Sequence, residues 1–98
     1  MTRVFLSATR ERPMAGATWT ERTGAGSRNW RGIAGSGDMS SIAATVYGGY
    51  IYTSTDGGAT WTERTGAGSR TWRGIAGSSD LSTIAASVNG GYIYTSTS

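Results

Sequence analysis

Two short clusters, each present twice, carry the side chains with the widest chemical reach. Trp19-Thr20-Glu21-Arg22 recurs as Trp61-Thr62-Glu63-Arg64, and Arg28-Asn29-Trp30-Arg31 recurs as Arg70-Thr71-Trp72-Arg73. An indole face suits the C–H face of a sugar, and a neighbouring Arg and Glu can hold adjacent hydroxyls in paired hydrogen bonds. Trp30, Arg31, Trp72, Arg73, Glu21 and Glu63 are therefore the candidate glycan-binding residues. The competing reading, preferred on weight, is that both Trp residues of each period fill space between packed sheets while Glu and Arg stay in water.

Other chemistries are excluded by what is missing. The chain has no His, Cys, Lys or Gln, so all nine basic residues are Arg. There is no imidazole base, thiol nucleophile, Schiff-base amine or common nitrogen or sulfur metal ligand. Carboxylate, hydroxyl and Tyr chemistry remain; no metal or cofactor is expected. The net charge of +3 suits an anionic partner, yet the Arg residues are scattered through polar segments, which argues against nucleic acid. No apolar run approaches the roughly 18 residues needed to span a bilayer. Met1 to Ala8 is too short for a secretory hydrophobic region, and without Cys the compartment is not legible.

The elements that must position these residues repeat with a period of 42: Trp19 and Trp61, Trp30 and Trp72, Tyr50 and Tyr92. Aligning residues 16–55 with 58–97 leaves six mismatches in 40 positions: Asn29/Thr71, Gly37/Ser79, Met39/Leu81, Ser41/Thr83, Thr45/Ser87 and Tyr47/Asn89. Such closeness means recent duplication or deliberate construction. Sixteen Gly, one Pro and ten aromatics mark a turn-rich β composition. Within one period four strand-like runs alternate with turn chemistry: A from Trp30 to Gly35, B from Ser41 to Tyr47, C from Tyr50 to Thr55 and D from Ala59 to Arg64. Four short strands in 42 residues is the size of one β-propeller blade.

Ser54-Thr55-Asp56-Gly57-Gly58-Ala59-Thr60-Trp61 fits S-x-D-x-G-x-T-W, and the chain over about residues 15–98 thereby resembles the Asp-box, or bacterial neuraminidase, repeat. The resemblance implies a structural role for Ser54, Asp56, Gly58, Thr60 and Trp61: Asp accepts turn N–H groups, Gly takes positive φ, and Trp packs the hairpin onto the blade. It implies a sialidase-type propeller. A sialidase site would also need three Arg for the substrate carboxylate, a Tyr nucleophile with a Glu partner, and an Asp acid. Here Arg22/Arg64, Arg28/Arg70 and Arg31/Arg73 occupy repeat-equivalent places, so none of those roles carries over, and no catalytic residue is expected.

The division expected is a non-repeat leader at 1–14, a stray strand or disordered, and two repeats at 15–56 and 57–98, each in the order D-A-B-C. Two blades cannot close a propeller. The expectation is an all-β chain of two four-stranded antiparallel blades that completes a β-propeller as a homo-oligomer. Strand D of one chain, Ala17 to Arg22, would complete the open sheet of another. Six blades from a trimer are favoured over eight or ten. Three functions follow in order of preference: a self-assembling structural module without catalysis, a multivalent carbohydrate-binding lectin with sites between blades, and a sialidase-like glycoside hydrolase.

Overall fold

The computed structural model describes residue 16 and residues 18–97; the expectation for the leader at 1–14 lies outside them. Where β-branched and aromatic residues alternate between Gly- and Ser-rich turns, strands form: β1 (Trp30–Gly35), β2 (Ile42–Gly49), β3 (Ile51–Ser54), β4 (Thr62–Arg64), β5 (Arg70–Gly77), β6 (Thr83–Val88) and β7 (Ile93–Thr97). No helix occurs among the described residues. The chain is all-β, and its seven strands pair antiparallel in one curled half-barrel sheet of order β4-β3-β2-β5-β6-β7, with β1 on β2 outside that path.

The duplicated sequence builds duplicated hairpins. β1 pairs β2 from Trp30↔Val46 to Gly35↔Ile42, and β5 pairs β6 from Trp72↔Val88 to Gly77↔Ile84. Each has a bulge directly after its Trp, which raises the local twist. β2 also pairs at its far end with β5, through Tyr47↔Thr71 and Gly49↔Arg70, which joins the first unit, β1–β4, to the second, β5–β7.

Both faces of β2 are covered, one by this seam and the other by the first unit's own aromatic cluster. Ile42, Ala44 and Val46 lie toward one side and Ala43 and Thr45 toward the other, and all five are buried. Small side chains are needed on the seam side because β5 approaches closely. A Cβ at Gly32 would sit 3.2 Å from Ile75 Cγ2 and 3.1 Å from Thr45 Oγ1.

Near-identical sequences therefore occupy unlike surroundings. Trp72 is 0% exposed at the seam, whereas its counterpart Trp30 is only half-buried. Ser54 is buried and Ser96 exposed. For Trp72 the cause is the seam; for the serines it is the outermost strand, since β3 is flanked by β4, while β7 has no strand on its outer edge among the described residues. The segment expected as the first strand D, described over 18–22, is not in a strand. A strand exists only by pairing, and this segment pairs with no strand edge among the described residues.

Two seam groups are poorly served, the Trp72 Nε1 and the Thr45 hydroxyl. Thr45 is fully buried and its Oγ1 has no hydrogen-bond partner. Removing an unsatisfied buried hydroxyl at constant shape relieves its desolvation cost, so Thr45→Val is expected to stabilise the chain by about 1 kcal/mol, read from the urea midpoint at unchanged slope.

Candidate functional site

All five predicted Asp-box residues meet in the turn that leaves β3. Ser54 Oγ donates to Asp56 Oδ1 (2.8 Å) and accepts the Gly58 N–H (2.9 Å). Asp56 Oδ1 also accepts the Thr60 N–H (2.9 Å), and Oδ2 accepts the Thr60 hydroxyl. Gly57 and Gly58 lie at φ of 75° and 99°, where an L side chain is strained. Trp61 Nε1 then donates to the Gly58 carbonyl (2.8 Å), folding the indole back over the turn. The Thr60 hydroxyl and N–H, with the Ser54 hydroxyl, hold the Asp56 carboxyl down at about 2, so it stays ionised as a turn clamp.

A second kind of carboxylate clamp, of which the sequence shows only a Ser/Gly/Asp turn, joins β1 to β2. Asp38 Oδ1 accepts from Ser36 Oγ (3.0 Å), Ser40 N–H (3.0 Å) and Ser40 Oγ (2.8 Å), and Asp80 repeats this with Ser78 and Ser82. Both carboxyls are held below the ordinary range, chiefly by the N–H of Ser40 or Ser82. The clamps hold Met39 and Leu81 at φ of 61° and 60°, a left-handed conformation that a side chain rarely accepts. The spacing S-x-D-x-S in both repeats is the signal that could have found them.

The candidate glycan residues divide into separate places. Trp30 and Trp61 come together, with ring centroids 6.4 Å apart, and Trp30 meets the edge of Tyr52 at 5.4 Å. They line an apolar pocket of about 480 Å³ together with Ile33, Ile42, Arg22 and Arg31. Trp72, by contrast, is sealed in the seam against Tyr94 and offers no face to a ligand. Glu63 accepts the Tyr52 hydroxyl (2.8 Å), and Glu21 lies exposed in the segment before β1. Arg31 and Arg73 converge on a residue the sequence does not single out for binding: their guanidinium carbons lie 4.3 and 5.9 Å from the Tyr47 ring centre. Tyr47 stands at a position where the repeats differ, its counterpart being Asn89.

The hydrogen bond to Glu63 raises the Tyr52 hydroxyl above its ordinary range, the opposite of what a phenolate nucleophile needs. Among the described residues no group of three carboxylates is placed to hold a metal.

A larger cleft of about 900 Å³ opens between the units, walled by Ile84, Ala86, Tyr94 and Ser96 on one side and by Ile51 and Thr53 on the other. It is the repeat counterpart of the smaller pocket, since Ile84 and Ala86 correspond to Ile42 and Ala44. In the smaller pocket Trp61 supplies an indole wall; no Trp is among the residues lining the larger cleft, and Trp19, the repeat counterpart of Trp61, stands 86% exposed.

A depressed folded-state pKa contributes stability that is present above the unfolded value and lost as pH falls through the folded one. The stability advantage of the parent over Asp56→Asn is therefore expected to be full above about pH 4 and to shrink toward pH 2. Thermal melts of both chains across that range read the difference directly.

Compared with known proteins, the chain matches no family model, no curated protein and no solved structure, which leaves its own geometry to carry the function.

Proposed function

We propose that this chain is a self-assembling β-propeller module whose product is the assembly itself, with no catalytic step. One observation carries the reading. Residues 16–22, Gly-Ala-Thr-Trp-Thr-Glu-Arg, repeat the sequence of 58–64, which contains β4, yet among the described residues 18–22 lie outside any strand and no strand flanks the outer edge of β7. The free segment is already shaped for an edge: Trp19 Nε1 donates to the Gly16 carbonyl at 2.9 Å, the same hook that Trp61 makes to Gly58. Residues 18–22 of one copy pair along β7 of another and place Trp19 in the cleft beside Ile84 and Ala86. That gives every unit four strands, so each chain contributes two blades, and three chains close six.

A multivalent lectin is the second reading, and the pocket between Trp30 and Trp61, with Arg22 and Arg31 at hand, is the observation in its favour. The burial of Trp72 and the engagement of Glu63 by Tyr52 weigh for the module. The raised Tyr52 hydroxyl weighs against a sialidase-like hydrolase.

Light scattering at micromolar concentration is expected to give a multiple of the 10.2 kDa chain mass, three times that mass for a six-bladed ring. Trp19→Ala removes an exposed side chain and is expected to leave folded monomers, whereas Trp61→Ala opens the first unit itself and destabilises the chain by about 3 kcal/mol. A parent chain that stays monomeric and folded would sink the proposal.

A further inference from the structure

We infer that the junction between copies is a second edition of the internal seam, so that the two ends of the molecule carry different, complementary halves and join head to tail. The inference rests on the module reading and adds to the exchanged strand a specific blade-to-blade surface with a direction.

The internal seam supplies the template, and each of its parts has an open counterpart at both ends. Ile75 packs against Gly32, where a Cβ would meet its Cγ2 at 3.2 Å. One period away, a Cβ at Gly74 would meet, among the described residues, Ser87 Oγ alone at 3.3 Å, with no counterpart of Ile75 against it. The counterpart knob, Ile33, is 65% exposed at the other end. Backbone pairing follows the same rule. At the seam Tyr47 and Gly49 of β2 pair with Thr71 and Arg70 of β5. Asn89 and Gly91 are the corresponding tail residues and Asn29 and Arg28 the corresponding head residues, and all four lie outside strands. That difference also explains why β5 runs eight residues and β1 only six. Trp72 is sealed by the seam at 0% exposure, and Trp30 waits half-covered for the equivalent closure. Two further seam bonds, Gly37 N–H to the Ser79 carbonyl (2.9 Å) and Ser69 Oγ to the Gly48 carbonyl (3.1 Å), have their donors and acceptors repeated at the ends.

Because knob and depression lie on different units, one junction between two copies uses one head and one tail and leaves the other head and tail free. A heterologous contact of this kind closes into a ring or runs on as a filament. The occupant of the head face, formed by Trp30, Ile33 and the backbone of Arg28 and Asn29, is therefore the tail of a second copy, formed by Gly74, Ser87, Asn89 and Gly91. The two kinds of seam differ in one respect. The internal one carries Tyr47 with Arg31 and Arg73 on its ring, and the one between copies has Asn89 there. The junction between copies is the more polar and the first to open.

Two half-blocked chains test this. Ile33→Glu blocks the head and Gly74→Leu blocks the tail, both at sites open to solvent within the chain, and near-ultraviolet circular dichroism checks that each folds. Each alone is expected to lose the high-mass species seen for the parent. An equimolar mixture is expected to give a one-to-one dimer, because the Gly74→Leu chain keeps an intact head and the Ile33→Glu chain an intact tail. If either variant fails to fold, Ile33→Ala and Gly74→Ala replace the pair, and each is expected to weaken assembly by about tenfold in the dissociation midpoint. A monomeric parent overturns the module reading itself. An assembling parent whose two variants still assemble alone, or whose variants stay monomeric when mixed, overturns the head-to-tail seam and leaves the exchanged strand standing.

Discussion

The outer strand of the first unit, β4, belongs by sequence to the second repeat, and that displacement governs the rest of the molecule. Pairing with β3 lets Glu63 reach Tyr52 and brings Trp61 over Trp30, which closes the aromatic cluster around Ala25, Val46 and Tyr52. The second unit has the same sequence without the same neighbour on its edge. Of the eight buried apolar residues, only Trp72 and Ala86 lie there, and both are covered by the first unit across the seam. Burial therefore follows strand supply and the seam together, since the residues themselves scarcely differ.

Turns hold the strands with carboxylates in place of a large core. Four of the eight buried apolar residues are Ala, which bury little area each. Against that, Asp38, Asp56 and Asp80 each gather hydroxyl and N–H donors from within four residues. These bonds are local, so they fix hairpin geometry without demanding long-range burial. They also hold Met39 and Leu81 in a backbone conformation that would otherwise favour glycine.

Much of this was legible in the residues. β1 spans Trp30–Gly35 as expected, and strands B and C appear within about two residues of their expected ends. The box around Asp56 was legible because its donors and acceptors lie within eight consecutive residues. What sequence could not supply was context. Trp30 and Trp72 are alike on paper, and only the seam, a contact across 42 residues, makes one a pocket wall and the other a sealed core residue. The gathering of Arg31 and Arg73 on Tyr47 was hidden likewise, because it joins side chains from two units across that seam. Strand D at 18–22 is expected to pair with another chain, and within one chain it lies unpaired among the described residues: propensity names a segment able to pair, and pairing needs an edge.

The hooked, exposed Trp19 segment carries a consequence for how such a chain keeps its shape. Should its edge lie on another molecule, part of the fold becomes a bimolecular equilibrium governed by mass action. Dilution would then peel away the outer strand of the second unit while β1–β4, complete within one chain, persisted. Local concentration, in place of additional residues, would set how much of the apolar surface is kept from water.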